Sequence, residues 1–232
     1  MSALPTVYGA RGPAINRRTA IAGLAAVPIR PRGGEGTVAR AERAIGGRAL
    51  IDRVRAIRWT GEAELAMPGR TLVLRVETRV EPFSRARSVS WVKAQGRASA
   101  RTMEIEPDAA FVLREGARQP MPPAQAAHER QQFGLYGHLL LKGALQPAAA
   151  MLLSTRPGFP PARLRLSADG RVVAAEMTVS DPGEAARTIR EQVGLDAWSV
   201  TRGLVWPRRL AMRQDGRRYF TLVIDTFDVE LA

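Results

Sequence analysis

The chain of 232 residues contains no cysteine, two histidines and only two lysines, Lys93 and Lys142, among 35 basic residues. Without cysteine there is no disulfide framework, no thiolate metal site and no residue to carry a lipid anchor behind an export signal. His128 and His138 fall in one segment of helical composition, separated by about 15 Å at ~1.5 Å per residue, too far to share a metal ion. No G-x-S-x-G elbow, phosphate-cradling glycine loop, H-E-x-x-H helix or dinucleotide fingerprint occurs. No catalytic residue, metal site or cofactor is therefore assigned. Asp228 and Glu230, with Asp225 nearby, share a face of the last strand, a pattern that a wet strand produces without any acid–base role.

Acidic residues are missing from the first 30 positions, which carry Arg11, Arg17, Arg18 and Arg30. The uncharged stretch Thr19 to Ile29 has the length of a secretory h-region and falls short of the ~20 residues that span a bilayer. Adjacent arginines followed by Thr-Ala-Ile resemble a twin-arginine signal, with ordinary Sec export as the alternative. Pro28 and Pro31 argue against a packed N-terminal helix. Residues 1–30 are thus expected to be an extension and export signal, 31–36 a linker and 37–232 one domain, placing the mature protein in the periplasm.

The net charge is +13, of which the four leader arginines account for four, leaving +9. Nucleic-acid readers cluster basic residues on one face with interleaved aromatics. Here arginine is spread evenly from Arg32 to Arg218 among abundant Ala, Gly and Pro, as GC-rich codon usage produces, so nucleic acid is not expected as a partner.

Hydrophobic periodicity defines the domain. Val38, Ile45, Leu50, Ile51 and Val54 share a helical stripe interrupted at Gly46-Gly47, giving one helix or two short ones. From Ile57 the period becomes two: Ile57, Trp59, Gly61, Ala63 and Leu65 alternate with polar residues, Pro68-Gly69 turns the chain, and Leu72, Leu74, Val76 and Val80 return. Strands follow in SVSWVKA, RTMEIE and AFVLRE. Residues 121–145 are helical in composition, with Phe133, Tyr136, Leu139 and Leu140 on one side. Further strands flank Asp169-Gly170 and Asp215-Gly216, both hairpin signals, and ARTIREQV with DAWSVTRG reads as another pair. About ten antiparallel strands tend to curl, leaving a concave face that the helices can cover.

The passage ARAERAIGGRALIDRVRAIRWTGEAEL, Ala39 to Leu65, resembles the opening of the LolA/LolB and RseB-like superfamily of periplasmic lipoprotein carriers, and LVWPRRLAMRQDGRRYFTLVIDTFDVEL resembles the closing strands of its lipoprotein-sorting-like members. The resemblance implies a mainly β (α+β) fold: a curved, unclosed antiparallel barrel of ten or eleven strands, plugged by helices and accommodating acyl chains. It implies no enzyme activity and a role as monomeric carrier of lipid or lipoprotein acyl chains, with membrane-associated partner proteins as further candidates. RseB-like envelope sensing is the alternative. Carriers of that group hold the lid with a strand arginine, for which Arg75 and Arg79 are the candidates by position. The expected wall of the ligand site is Trp59, Leu72, Leu74, Val76, Val89 and Trp91, with Phe133, Tyr136 and Leu139 under the lid at 121–145.

Overall fold

The computed structural model describes residues 36–149, 151–184 and 186–232; the expected export signal and nearly all of the linker lie outside them. Two short helices, α1 (Thr37–Ala44) and α2 (Arg48–Arg53), open the fold, separated by the Gly46-Gly47 break that the sequence signals. Gly46 has φ +125°, and a Cβ there would stand 2.6 Å from the Gly203 carbonyl oxygen, so only glycine lets this corner close on the sheet.

Thirteen antiparallel strands follow, more than the expected ten or eleven. They are β1 (Val54–Met67), β2 (Arg70–Glu81), β3 (Arg85–Val92), β4 (Arg101–Ile105), β5 (Ala110–Arg114), β6 (Ala117–Pro120), β7 (Ala144–Ala148), β8 (Met151–Arg156), β9 (Phe159–Leu166), β10 (Val172–Ser180), β11 (Thr188–Thr201), β12 (Leu204–Gln214) and β13 (Arg217–Leu231). Helix α3 (Pro123–Leu139) lies between β6 and β7. It is shorter than the expected 121–145, because residues from Ala144 onward already belong to β7.

The sheet order is β6-β5-β4-β3-β2-β1-β13-β12-β11-β10-β9-β8-β7. The chain meanders outward from β1 to the β6 edge and returns from the β7 edge to β13, which pairs with β1 at the centre. The sheet is curved and unclosed. Since α3 is the covalent link between its two edges, the helix has to cross the concave face; at 17 residues it spans about 25 Å. Both edge strands are short and carry proline, Pro120 and Pro147, which discourages pairing with another sheet.

At the centre, β1 shifts register against β13 between Thr60 and Gly61. A Cβ on Gly61 would run into the Val223 carbonyl oxygen, which explains the glycine in Trp59-Thr60-Gly61: the bulge bends the long strand only where the backbones can touch. Pro68-Gly69 and Asp215-Gly216 turn β1 into β2 and β12 into β13 as expected. Asp169-Gly170 joins the antiparallel hairpin β9–β10, but through a longer loop than two residues, and one expected hairpin fails. Asp169-Gly170 sits in a five-residue loop closed by the Ser167 amide donating to the Arg171 carbonyl at 2.9 Å, and the segments ARTIREQV and DAWSVTRG form one strand, β11, because Gly194 pairs with Ala174 and Ala211 without turning the chain.

Candidate functional site

Cross-strand pairing fixes which side chains share the face that α3 covers. Trp59 opposes Thr78, Gly61 opposes Val76, Ala63 opposes Leu74 and Leu65 opposes Leu72, so Trp59, Leu72, Leu74 and Val76 line the inner face as expected. Leu72 sits at the half-exposed tip of the β1–β2 hairpin, while Trp59 and Val76 are buried. The apolar surface continues through the other arm as Leu222, Leu210, Leu195, Val193, Ala175, Leu164 and Leu152.

Val89 and Trp91 lie on the other face. The three-residue β2–β3 turn sets Glu81 against Arg85, which places Val89 opposite Glu77 and Trp91 opposite Arg75 and turns Ser88 and Ser90 inward. Alternation of Ser with Val and Trp in β3 suggests the reverse, but turn geometry decides register and a slip of one residue exchanges the faces. The inward hydroxyl of Ser88 is satisfied by Thr78 Oγ1 at 2.8 Å, and Trp91 is covered from outside by the Arg97 guanidinium 4.9 Å from its ring centroid.

Over the trough, α3 brings Tyr136 to 4.8 Å from the Trp59 ring and Phe133 to 6.1 Å from Tyr136, with Leu139 buried. The helix has no single apolar stripe, since it is enclosed on several sides, and polar side chains tie it down. His128 donates from Nδ1 to the Ser180 carbonyl oxygen (2.7 Å). Gln131 exchanges two hydrogen bonds with Ser180, accepting from its backbone N–H (2.6 Å) and donating to its hydroxyl (3.1 Å). The amides of Gln132 and Gln214 both donate to Glu191 Oε1, at 2.7 and 2.8 Å, whereas the fully buried Oε2 has no partner. Burial pushes the Glu129 carboxyl and the Tyr136 hydroxyl up from their ordinary values, with Glu191 adding to both shifts. Both side chains are half-buried.

Two phenylalanines that sequence reasoning missed meet over α3. Phe83, in the β2–β3 turn on one arm, and Phe159, at the start of β9 on the other, meet at 5.1 Å between ring centroids. They rest on two glycines of α3 one turn apart: a Cβ on Gly137 would stand 2.6 Å from Phe83, and one on Gly134 would stand 2.5 Å from Phe159. Phe83 also takes the edge of His138 at 4.8 Å and has φ +58°, a left-handed conformation that a bulky residue adopts only when its surroundings enforce it. His138 Nδ1 pairs with Ser154 Oγ at 2.8 Å, and burial lowers the ring's pKa to about 4, the Pro160 carbonyl opposing only part of the shift. The Gly-x-x-Gly spacing in α3 and the Pro82-Phe83 turn were the available signals. Beneath the ring pair, the cleft lined by Val80, Ile105, Phe133 and Gly134 has a volume of only about 10 Å³. Helix α3 itself packs against the concave face, with Leu135 and Leu139 buried.

This geometry has counterparts among solved structures. A LolA superfamily protein from Nitrosomonas europaea superposes with a TM-score of 0.53 at 10% identity, covering 84% of this chain and 92% of its own. An outer membrane lipoprotein-sorting protein domain from Vibrio parahaemolyticus gives 0.53 at 7%, covering 83% and 92%, and a DUF1329 family protein from Desulfovibrio piger gives 0.52 at 9%, covering 84% and 92%. The fold is LolA-like. No family model matches the sequence, and neither does any curated protein.

Within this LolA-like frame, Arg75 and Arg79 do not hold the lid. Both lie on the outer face, Arg75 paired with Asp225 at 2.7 Å and Arg79 with Glu230 and Glu81 at 2.7 and 2.6 Å. The arginine that reaches the end of α3 is Arg48 of α2, whose Nη2 donates to the Leu141 carbonyl (3.2 Å) and to Glu42 (2.6 Å). Asp228 and Glu230 are likewise occupied: Arg58 bonds Asp228 at 2.5 Å and Arg79 bonds Glu230, holding both carboxyls below their usual range. Such pairing fits an outer-face ion network and leaves neither group poised to move a proton. Among the described residues no cluster of three or more His, Asp or Glu is arranged to hold a metal, and no helix is long and apolar enough to cross a membrane.

Proposed function

We propose that the protein is a non-catalytic carrier that binds acyl chains of lipids or lipoproteins in the trough now occupied by α3, acting as a monomer in the periplasm after export directed by residues 1–30. The observation that carries this reading is a largely apolar inner face across both arms of the sheet, interrupted by Thr78, Ser88, Ser90, Ser154 and Glu191, and covered by one helix whose own grip is partly polar. The similarity in fold to a lipoprotein-sorting domain adds support.

Helix and ligand compete for the same apolar surface. At ~0.8 kcal/mol per buried methylene, a chain of about fifteen methylenes gains on the order of 12 kcal/mol gross. The apolar residues of α3 that would leave the trough, Phe133, Leu135, Tyr136 and Leu139, contribute about 1.5–3 kcal/mol each. Those gross burial terms are of the same order, before the ligand's loss of freedom and the polar ties of α3 are counted.

The test is a thermal melt of the mature, delipidated protein with palmitate or a diacylated lipopeptide, together with mass spectrometry of lipids extracted from natively purified protein. Several degrees of stabilisation and a co-purified lipid are expected. Unchanged melting together with lipid-free extracts would remove the carrier reading.

A further inference from the structure

Around the Phe83–Phe159 pair stand three arginines from three separate elements. Arg156, at the end of β8, lies 5.6 Å from the Phe83 ring centroid; Arg130, on α3, lies 5.3 Å from the Phe159 ring; and Arg85, at the start of β3, lines the same cleft. Arg85 and Arg156 are exposed and Arg130 is half-buried. None of the three has a carboxylate partner among the described residues. The one acid lining the cleft, Glu81, accepts from Arg79 at 2.6 Å. Elsewhere on the strands Arg58, Arg75, Arg79, Arg97 and Arg190 meet carboxylates; what sets Arg85, Arg130 and Arg156 apart is that they stand together around one aromatic pair.

We propose that this gate is a headgroup site, and that the carrier's ligand is an amphiphile with an anionic head, a phosphate or carboxylate, held by Arg85, Arg130 and Arg156 while its acyl chain enters the trough beneath Phe83 and Phe159. The inference rests on the acyl-chain reading above. A guanidinium lying near an aromatic face keeps its planar donors free, and those donors match the oxygens of phosphate or carboxylate in bidentate geometry. The two rings below are apolar, so the site has a charged rim over a greasy throat, the polarity sequence of a single-headed lipid. Arg130 belongs to the helix that must move, whereas Arg85 and Arg156 belong to the two arms. An anionic head therefore draws α3 and both arms together and favours reclosure over a loaded chain.

Binding of dodecyl phosphate and of uncharged monolaurin, each below its micellar concentration, tests this by tryptophan fluorescence and calorimetry, with inorganic phosphate as a third arm. The mature protein is expected to prefer dodecyl phosphate over monolaurin by about tenfold. The exposed double variant R85Q/R156Q is expected to lose that preference, as is the triple variant with R130Q. Raising the salt is expected to weaken the preference in the wild type, a readout that needs no variant. Equal affinity for the two amphiphiles in the wild type, or a preference kept by the folded double variant, overturns the headgroup site and leaves the trough reading standing. Inorganic phosphate bound as tightly as dodecyl phosphate overturns it too, since the site would then take a free anion. If neither amphiphile binds, the trough reading fails and the headgroup site fails with it.

Discussion

His138 is fully buried against Phe83 and Ser154, and its ring is most stable neutral. Unfolded, a histidine takes a proton near pH 6.5; folded, this one resists until about pH 4. The unfolded state thus binds more protons between those values, so the stability tied to His138 is complete above pH 6.5 and lost as the pH falls toward 4, by an amount on the order of 3 kcal/mol. Urea unfolding at pH 7.5 and 4.5 is expected to show a smaller acid loss in His138→Asn than in the wild type. Glu129, pushed upward by burial, contributes the opposite slope to both proteins, so the difference between them isolates the histidine. A second test concerns Gly137. In a free helix Gly→Ala gains about 1 kcal/mol, yet here the new methyl displaces Phe83 from its strained seat. Gly137→Ala is expected to destabilise the wild type by about 1–2 kcal/mol and to stabilise a Phe83→Ala background, a change of sign that a double-mutant cycle reads directly.

Among the elements, α3 is the one whose attachments can be tuned separately from the sheet. Gln131 imitates a backbone by donating to and accepting from Ser180 at the end of β10, and removing it leaves the Ser180 N–H without that partner. Gln131→Ala is expected to lower stability by about 1–2 kcal/mol and to speed loading of dodecyl phosphate in stopped-flow fluorescence, because the helix leaves more readily. Strands and helices were largely legible in the sequence: the period-two runs of β1 to β5, the Gly46-Gly47 break and the start of the helix after Pro122-Pro123 stand where the pattern puts them, while its end falls earlier, at Leu139. The inner wall was legible for Trp59, Leu74 and Val76, where apolar alternation and register agree. It was not for Val89 and Trp91, because the face that β3 presents depends on the length of the 82–84 turn, a three-dimensional fact that side-chain polarity does not encode. Gln131, Gln132 and Glu191 were invisible for a related reason: their partners are 23 to 59 residues away in sequence.

For the whole molecule the decisive feature is that one chain leaves the sheet at β6 and rejoins it at β7, so the plug is also the strap between the two edges. Residues 121–145 read locally as a cover; the structure has a 17-residue helix linking the two sheet edges and packing against β2, β4, β5, β9 and β10. Opening must therefore separate the arms or slide the helix along them, and either motion breaks the Phe83–Phe159 contact first, because that pair joins turns from opposite arms directly over α3. The absence of native cysteine makes this testable in a clean background. In Phe83→Cys/Phe159→Cys joined by a short bismaleimide, uptake of dodecyl phosphate is expected to fall at least tenfold below that of the same variant left uncoupled and capped with a monofunctional maleimide. The uncoupled variant itself, with its gate reduced to two small side chains, is expected to load faster than the wild type. If the bridged protein loads as fast as the uncoupled one, ligand enters by a path that does not pass between these turns, and α3 would have to admit it from the β6 or β7 edge instead.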